Sequence, residues 1–239
     1  MEQSTSQRLL SLAPHVRACE SDGQVILLDL RRNRYIGIGD SVAEKLTAAI
    51  AGWPQSCSTA ACKPAQDSDA VIHRLMAQGL LSASTAAPQP HPSIAEATAS
   101  VDLGALTGSR IGARRVGSFL TNAAVAALWL RCRSLHAIAG SVAERSRRLD
   151  HPQPESLKEI EAAAAVYDWL RPLVFTARDN CLHDSLALVR FLAGEGLRAR
   201  WVIGVKTCPF GAHSWVQSGH TVLNDQHENV RRFRPILVV

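Results

Sequence analysis

The sequence predicts an α+β protein built from two modules that are joined by a linker. Roughly the first eighty residues contain two strand-like segments followed by two helix-like segments, whereas roughly the last sixty contain a helix-like segment followed by three strand-like ones. Between these halves lies a proline-rich stretch without a sustained apolar period, which is typical of a linker. The predicted division is a first module at residues 1–83, a linker at 84–107 and a second module at 108–239.

The composition is that of a globular protein. Of the 239 residues, 46% are hydrophobic and 20% are charged, and a chain of this length can bury a sizeable core. No apolar run approaches the roughly 18 to 20 residues that span a bilayer, and the first residues do not resemble a signal peptide. The sequence therefore predicts a cytoplasmic protein without a membrane span. With 5% aromatic residues and no aromatic pattern among the basic ones, nucleic-acid binding is not predicted.

Six cysteines are scattered along the chain without a CxxC pair or another spacing typical of zinc sites. No metal and no cofactor are predicted. In a reducing compartment each thiol is either a small buried hydrophobic group or a reactive one. The cysteines are Cys19, Cys57, Cys62, Cys132, Cys181 and Cys208.

The net charge of +5 is concentrated in the middle of the chain. Residues 86–150 contain eight arginines that recur among apolar residues, against four acidic residues. Two interpretations stay open: a surface for a polyanion or an acidic peptide, or the solvated face of amphipathic helices, which is the more usual cause of such spacing. The arginines are Arg110, Arg114, Arg115, Arg131, Arg133, Arg145, Arg147 and Arg148.

The elements of the first module follow from local patterns. The segment "VILLDLRRNRYIGIGD" predicts a β-hairpin of residues 25–30 and 34–38 around the turn "RRN". A helix in "SVAEKLTAAIAG" is predicted to be capped at Asp40 or Ser41. A second helix in "DSDAVIHRLMAQGLL" is predicted to end at Gly79. The predicted order is therefore strand, strand, helix, helix.

The second module is predicted to begin with helices. Residues 108–149 alternate arginine with apolar residues and predict one helix, or two helices divided near Gly140. The segment "SLKEIEAAAAVYDWLRPLVF" predicts another helix that Pro172 ends or kinks. A helix over about residues 181–193 follows, and the segments "LRARWVIGV", "AHSWVQ" and "TVLND" predict three strands.

Cys181 is the candidate nucleophile because it stands where a helix is predicted to begin. The positive end of a helix and a nearby imidazole both lower the pKa of a thiol. The backbone N–H of Cys181 itself belongs to the first turn and is available to hold a developing oxyanion. The alternative is that Cys181 is one more buried structural thiol.

His213 in the second predicted strand and Asp225 at the end of the third are the candidate partners of Cys181. A three-residue turn at 218–220 pairs position 213 with 225, whereas a two-residue turn is expected to place Asn224 opposite His213, and the sequence leaves this choice open. In both cases an oxygen acceptor reaches the imidazole, and Asp225 can fix its tautomer. The three residues predict a Cys-His-Asp arrangement for acyl transfer.

Other polar residues nearby are weaker candidates. His183 and Asp184 are expected to be exposed residues of the first helical turn, where the acid favours the helix dipole. His220 and His227 lie in or near predicted turns, without the partner spacing of metal ligands. Cys208 lies in a loop that is expected to border the cleft.

The runs "CLHDSLAL", "GLRARWVIGV" and "HSWV" resemble the peptidase domain of lasso-peptide B proteins, which is similar to transglutaminase-like and papain-like cysteine proteases. The first module resembles a PqqD-like, winged-helix-like element that recognises peptides and is fused to the peptidase in some members. The resemblance covers nearly the whole chain. It implies a small winged-helix-like module followed by a transglutaminase-like peptidase domain.

The resemblance implies a leader peptidase. Such a protein binds the leader of a ribosomally made precursor peptide, cuts between leader and core, and delivers the core to an ATP-dependent, asparagine-synthetase-like lasso cyclase, the C protein. By this resemblance Cys181 is the nucleophile, His213 the base and Asp225 the orienting acid. Gln217 stands where many members have Glu. The resemblance assigns no side-chain donor to the oxyanion, and Asn180 is a candidate for it.

The resemblance also implies that the leader adds a strand to the hairpin edge at 34–38, with apolar anchors between that edge and the helix over residues 70–80. The alternative is that these residues only form the core of the module. The candidate contacts are Arg34, Tyr35, Ile36, Val71 and Leu75.

Two other functions remain as alternatives to leader hydrolysis. The first is acyl transfer to an amine at the same site, as in a transglutaminase, which requires the amine to outcompete water. The second is a non-enzymatic scaffold that binds the leader and in which Cys181 is only a buried thiol.

Overall fold

The computed structural model describes residues 10–54, 68–83, 92–101, 112–149, 157–175 and 180–239. Its contacts divide the chain into two compact units, Met1–Pro92 and Ser93–Val239. Within the described ranges, every helix is too short or too polar to cross a membrane. We describe each unit by itself.

The N-terminal unit contains two small sheets and two helices. The strand order is β5-β1-β6 in one sheet and β2-β3-β4 in the other. The elements are β1 (Leu10–Leu12), β2 (Val16–Ser21), β3 (Gln24–Asp29), β4 (Arg34–Ile38), α1 (Asp40–Ala49), β5 (Ile50–Ala51), α2 (Ser68–Ala77) and β6 (Leu81–Ala83).

The predicted hairpin and the two predicted helices are confirmed, as β3, β4, α1 and α2. The helix α1 begins at Asp40 with Gly39 as its N-cap, so neither predicted capping residue holds that position. The sequence interpretation missed four strands. One of them, β2, pairs with β3 through a two-residue turn of Asp22 and Gly23, both of which have positive φ. An Asp-Gly pair is a strong hairpin signal, so this strand was predictable.

β4 lies at the edge of its sheet among the described residues, because its hydrogen-bonded neighbour is β3. The turn before β4 is held by Asp29, whose Oδ1 accepts the backbone N–H groups of Arg31 at 2.8 Å and Arg32 at 3.2 Å. Burial raises the pKa of Asp29. These N–H groups and the Arg32 side chain together lower it by more than burial raises it, so the pKa lies below the ordinary value. The edge strand therefore starts from a fixed turn.

The C-terminal unit combines five helices with a five-stranded sheet of order β11-β8-β9-β10-β7, in the part of the chain that is described. The helix α6 packs against α3 and against the face of β9. The elements are β7 (Ala99–Ser100), α3 (Ala113–Cys132), α4 (Leu135–Arg148), α5 (Leu157–Leu170), a 3-10 turn (Arg171–Leu173), α6 (Cys181–Gly194), β8 (Arg200–Thr207), β9 (Phe210–Ser218), β10 (Thr221–Val222), α7 (His227–Val230) and β11 (Arg234–Val238).

The arginine-rich segment forms two helices, but the predicted break near Gly140 was wrong. α3 ends at Cys132 and α4 begins at Leu135, because Ser134 adopts an extended conformation and its hydroxyl accepts the backbone N–H of Ala137 at 3.3 Å. Gly140 lies inside α4. The prediction for Pro172 was confirmed, since α5 gives way to the 3-10 turn that contains this proline.

The turn between β9 and β10 differs from both predicted registers. It has two residues, Gly219 and His220, and it pairs Ser218 with Thr221 and Gln217 with Val222. The third strand is also shorter than predicted and ends at Val222. It ends there because the side-chain Oδ1 of Asn224, not a backbone carbonyl, accepts the backbone N–H of Val216 at 2.9 Å.

The described residues 93–101 belong to the C-terminal unit, although the sequence placed them in the linker. Ala99–Ser100 pairs in parallel with β10, and the backbone carbonyl of Ala95 accepts the side-chain N–H of Gln217 at 2.7 Å. Ala97 is buried in a small hydrophobic cluster. A short strand of small residues has no periodic pattern, which is why the sequence did not reveal it. Residues 84–91 and 102–107 of the predicted linker lie outside the described residues.

Candidate active site

Cys181 is the first residue of α6, as predicted, and is half-buried. The buried face of this helix packs into the core and fixes its position, since Leu186 and Leu188 have no exposed surface. Asn180 occupies the N-cap position, but its side chain makes no capping hydrogen bond. The thiol therefore stands at the positive end of a 14-residue helix.

His213 projects from β9, where it pairs with Gly204 of β8. Its ring lies 6.2 Å from that of Trp215, nearly parallel, and 5.2 Å from that of Phe233. A Cβ atom at Gly204 would lie 2.8 Å from Trp215 and 2.9 Å from Phe233. The glycine therefore leaves room for the two aromatic rings that flank the imidazole.

Asp225 follows β10 in a bend and reaches back to His213. Its Oδ2 lies 2.5 Å from His213 Nε2 and also accepts the side-chain N–H of Asn229 at 3.0 Å, while its Oδ1 accepts the backbone N–H of Gln226 at 2.7 Å. Burial raises the pKa of Asp225, but these three donors outweigh it and hold the pKa below its ordinary value. Asp225 is therefore a carboxylate at neutral pH.

The thiol and the imidazole are also hydrogen-bonded to each other. Because Asp225 engages Nε2, the ring nitrogen left for Cys181 is Nδ1. Burial lowers the pKa of His213, yet the hydrogen bonds and negative charges of Asp225 and Cys181 raise it to about 9. Burial raises the pKa of Cys181, but His213 and the backbone N–H groups of Ser214 and Leu182 bring it below the ordinary value. The geometry thus favours a thiolate beside an imidazolium.

A buried chain of hydrogen bonds supports the residues that contact Cys181. Trp201 Nε1 donates to Ser185 Oγ at 2.9 Å, the hydroxyls of Ser185 and Ser214 lie 2.7 Å apart, and Ser214 Oγ donates to the carbonyl of Val202 at 3.0 Å. This chain joins α6 to β8 and β9 directly behind the thiol. The sequence interpretation missed both serines, although a serine inside each of two strongly apolar runs was a visible signal.

Asp184 is buried, so the prediction of an exposed first-turn acid was wrong. It is 2% exposed and it binds Arg171 Nη2 at 3.2 Å, the hydroxyl of Tyr167 at 3.1 Å and the side-chain amide of Asn224 at 3.3 Å. Burial raises its pKa, and Arg171, Asn224 and Tyr167 offset only part of that effect. Through Asn224, this acid links the start of α6 to the segment that carries Asp225.

The remaining polar candidates have structural partners. His183 is half-buried rather than exposed: its Nε2 lies 2.8 Å from a backbone carbonyl of α3, and its ring packs edge-on against Phe175. His220 and His227 bind the segment at 92–101, through a backbone carbonyl and a serine hydroxyl. Cys208 is exposed in the turn between β8 and β9.

Gln217 is buried and satisfies polar groups of the sheet. Its Oε1 accepts Trp215 Nε1 at 3.0 Å, and its Nε2 donates to the carbonyls of Ala95 and Gly219. Within the described ranges, no three His, Cys, Asp or Glu side chains gather as a set of metal ligands.

The five predicted leader contacts occupy two different environments of the N-terminal unit. Arg34 is exposed and Tyr35 and Ile36 are half-buried on β4. Val71 is partly buried against the hydrophobic core, and Leu75 belongs to that core at 3% exposure. The edge strand is thus the accessible part of the predicted contact surface.

The site lies within a region that is similar to known proteins. A family model described as the transglutaminase-like superfamily matches residues 120–238, a range that includes Cys181, His213 and Asp225. Over 48 residues the chain is 48% identical to the microcin J25-processing protein McjB of Escherichia coli. This stretch covers 20% of the chain and 23% of that relative, less than a quarter of its length. No solved structure matches the chain. The C-terminal unit, Ser93–Val239, therefore contains a transglutaminase-like domain.

Proposed function

We propose that this protein is a cysteine endopeptidase of lasso-peptide biosynthesis that hydrolyses the bond between the leader and the core of a precursor peptide. One observation carries the proposal: the Cys181 thiol is hydrogen-bonded to His213, whose Nε2 is held by Asp225. The transglutaminase-like match supports acyl chemistry at this thiol, and the similarity to a protein named for microcin J25 processing supports a peptide substrate.

In the first step the Cys181 thiolate attacks the carbonyl carbon of the scissile bond and forms a C–S bond. The carbonyl electrons move onto oxygen, and the backbone N–H of Cys181 at the helix N-terminus is the proposed donor to that oxyanion. When the intermediate collapses, the C–N bond breaks and the His213 imidazolium gives its proton to the leaving amine of the core. A thioester with the leader remains.

In the second step water hydrolyses the thioester. His213, now neutral, accepts a proton from the attacking water, and the intermediate expels the Cys181 thiolate with the leader as a free carboxylic acid. The imidazolium that forms is stabilised by Asp225, which remains ionised throughout. The thiolate and the imidazolium are thereby restored for the next cycle.

The N-terminal unit is the proposed leader-binding module, similar to PqqD-like recognition elements. The edge strand β4 offers backbone groups for strand addition, and Tyr35 and Ile36 offer apolar contacts. A leader bound there makes cleavage effectively intramolecular. The proposed partners are the precursor peptide and an asparagine-synthetase-like cyclase that receives the core, in the cytoplasm.

Mass spectrometry of a candidate precursor peptide tests the proposal. Short peptides encoded by genes near this one are the candidates to test, each incubated with the wild-type protein with and without the cyclase. We expect a single new pair of products, the leader with a free carboxylic acid and the core with a free amine. Cys181→Ala is expected to remove both products, whereas Cys208→Ala, which removes an exposed thiol elsewhere, is expected to leave them unchanged.

Two other outcomes would replace the proposal. A product in which the leader acyl group is joined to an amine would indicate a transglutaminase-type transfer. Its mass would be one water lower than the summed masses of the free leader acid and the amine. Binding of the leader without any processing, together with an alkylation rate at Cys181 equal to that of an ordinary thiol, would indicate a scaffold.

A further inference from the structure

A cavity of about 580 Å³ lies beside the C-terminal half of α6, at the other end of the helix from Cys181. Val189 and Ala193 contribute to its wall, so it lies roughly 12 to 18 Å along the helix axis from the thiol, at 1.5 Å per residue. This volume is in the range of sites that bind a small molecule or a few peptide residues. Its lining includes Trp129, Val142, Arg145, Arg190, Leu197 and Arg198.

Three arginines gather positive charge at the cavity, and none of them pairs with an acid in the part of the chain that the structure describes. Arg145 and Arg190 line it, and Arg133 lies next to it, with its guanidinium 4.6 Å from the ring centroid of Trp129. Among the described residues, no carboxylate lies within 4.0 Å of these three guanidinium groups. The uncompensated charge favours an anion in the cavity.

Glu144, the acidic residue that the described part of the cavity wall contains, does not neutralise these arginines. The carboxylate of Glu144 pairs with Arg147 and Arg148, the second of which also lines the cavity. Each of its two oxygens is bound by one of these guanidinium groups. The acid therefore pairs with Arg147 and Arg148 and not with Arg145 or Arg190.

Arg190 is the member of the set whose position most clearly points to a ligand. Its guanidinium lies 4.1 Å from the ring centroid of Trp129, and its Nε is buried without a hydrogen-bond partner. Burial, and after it the positive charges of Arg145 and Arg133, lower its pKa. A buried donor without a partner is destabilising, and an anion that enters the cavity would relieve both the missing hydrogen bond and the repulsion.

The rest of the lining favours a carboxylate attached to an apolar group over a phosphate. Val142, Val189 and Leu197 give the cavity apolar walls. The C-terminal end of α6 presents carbonyl groups, one of which, Ala193 O, accepts Arg145 Nη2 at 3.3 Å. Phosphate sites commonly use the N–H groups of a helix N-terminus, which this cavity does not present. Planar guanidinium groups bind carboxylates and phosphates alike, so the apolar walls and the helix C-terminus are what favour the carboxylate.

We propose that this cavity is a second binding site for the processed peptide, in which an Asp or Glu side chain binds Arg145 and Arg190 while a neighbouring apolar side chain packs on Val142 and Leu197. The proposal rests on the proposed function for the identity of the peptide. An extended chain covers 12 to 18 Å with about four to six residues, so one peptide can reach both Cys181 and the cavity.

Binding of defined peptides to the full-length Cys181→Ala protein tests the site. The probes are an octapeptide of alternating Glu and Leu and its Gln-Leu counterpart, each with an uncharged fluorophore, followed by fluorescence anisotropy. We expect the Glu peptide to bind at least tenfold more tightly and to lose affinity as salt is added. Equal affinities of the two peptides for the protein would overturn the proposal without any mutation in the cavity.

Arg145→Gln is expected to weaken binding of the Glu peptide by about tenfold. Arg131→Gln is the control, because it removes the same charge from an exposed arginine of α3 outside the cavity wall, and it is expected to bind as before. Equal weakening by the two substitutions would overturn the proposal. Displacement of the Glu peptide by ATP or inorganic phosphate at lower concentrations than by glutamate would also overturn it, in favour of a phosphate ligand.

The precursor assay separates this proposal from the proposed function. If the precursor is cleaved and Arg145→Gln leaves both KM and kcat unchanged, the cavity proposal fails while the peptidase stands. If Arg145→Gln raises KM and leaves kcat unchanged, the cavity proposal gains its expected support. If no precursor is cleaved yet the Glu peptide binds in an Arg145-dependent manner, the proposed function fails and the anion site remains.

Discussion

The reactivity of Cys181 depends on one proton that it shares with His213. Because its pKa is lowered, we expect iodoacetamide to modify Cys181 already at pH values below the ordinary thiol pKa of about 8.5. In His213→Ala the pH profile of this rate is expected to move up toward that ordinary value. Mass-spectrometric mapping of the modified peptide distinguishes Cys181 from the exposed Cys132 and Cys208. A wild-type profile that already coincides with that of a free thiol would show that the pair is not activated.

The pKa of His213, about 9, predicts the alkaline limit of activity. The thiolate–imidazolium pair exists above the lowered pKa of Cys181 and below the raised pKa of His213, so it is lost as the pH rises through about 9. In Asp225→Asn the pKa of His213 is expected to fall toward its ordinary value of about 6.5, which shifts this limit down. The measurement is kcat/KM against pH, with Glu228→Gln as the control because it removes an exposed acid nearby. An unshifted alkaline limit in Asp225→Asn would contradict the role of this carboxylate.

Among single residues, the sequence predicted three that the structure brings together. It also predicted that a fourth, Asp184, is exposed, and this residue is buried. Cys181, His213 and Asp225 stand at the start of a helix, within a strand and after a strand, and local patterns reveal such positions. Asp184 also stands in a first helical turn and is nevertheless buried. Its partner Arg171 comes from another element, and local periodicity contains no information about such contacts.

Among the elements, the close approach of β8 to the rings beside His213 requires a glycine. Gly204→Ala would place a Cβ 2.8 Å from Trp215 and 2.9 Å from Phe233. We expect a loss of about 1–3 kcal/mol in the free energy of unfolding, measured in urea, because overpacking displaces the rings. Cys181 alkylation is expected to slow as His213 shifts.

The matched control is Gly140→Ala, since Gly140 lies inside α4 and a Cβ there would meet no atom within 4 Å. This substitution is expected to raise the free energy of unfolding by roughly 0.5–1 kcal/mol. If the two alanine variants have the same free energy of unfolding, the rings of Trp215 and Phe233 do not constrain β8.

The serine chain behind Cys181 is a second determinant that joins helix and sheet. Ser185→Ala removes the acceptor of Trp201 Nε1 and the partner of Ser214 Oγ. We expect a loss of about 1–3 kcal/mol in the free energy of unfolding, because two buried polar groups lose a partner. Ser141→Ala, at a half-buried serine of α4, is expected to change it by less than about 0.5 kcal/mol. Similar urea midpoints for both variants would show that this chain of hydrogen bonds does not stabilise the fold.

The sequence predicted the elements with strong apolar periods and missed those defined by side-chain contacts or single residues. The helices α5 and α6 and the strands β8 and β9 have such periods. The strand β10 ends where the Asn224 side chain replaces a backbone acceptor, which no periodic pattern indicates. The strand β11 contains Pro235, which argues against a central strand, and it lies at a sheet edge where proline is tolerated.

For the whole molecule, we propose that the N-terminal unit binds the leader and the C-terminal unit hydrolyses the peptide bond. We expect Tyr35→Ala on β4 to raise KM for the precursor about tenfold, corresponding to 1.4 kcal/mol of binding free energy, while the rate of Cys181 alkylation stays unchanged. Ile36→Ala, at the next position of β4, tests whether a second residue of this strand also contributes to binding of the precursor. A fall in kcat with an unchanged KM would assign Tyr35 to something other than leader binding.

The two-part organisation was predictable because the proline-rich stretch interrupts the apolar pattern, but the role of the arginines was not. Regular spacing on α3 and α4 is equally consistent with a solvated face and with a binding surface. Only the packing of α4 against α6 shows that Arg145 and Arg190, distant in sequence, face one cavity. Arg115, Arg147 and Arg148 instead pair with acids, as a solvated face predicts.

The two-residue turn at Gly219 and His220 sets the distance between the sheet and the Asp225 carboxylate that binds His213. Asn224 and Asp225 are consecutive, yet one binds the backbone of β9 and the other binds His213. One inserted residue in this turn would move the Asn224 amide to the imidazole, whereas one deleted residue would move Asp225 to the backbone N–H of β9, so either change would take the acid away from His213. Relatives that keep this site are therefore expected to vary the turn in residue type but not in length.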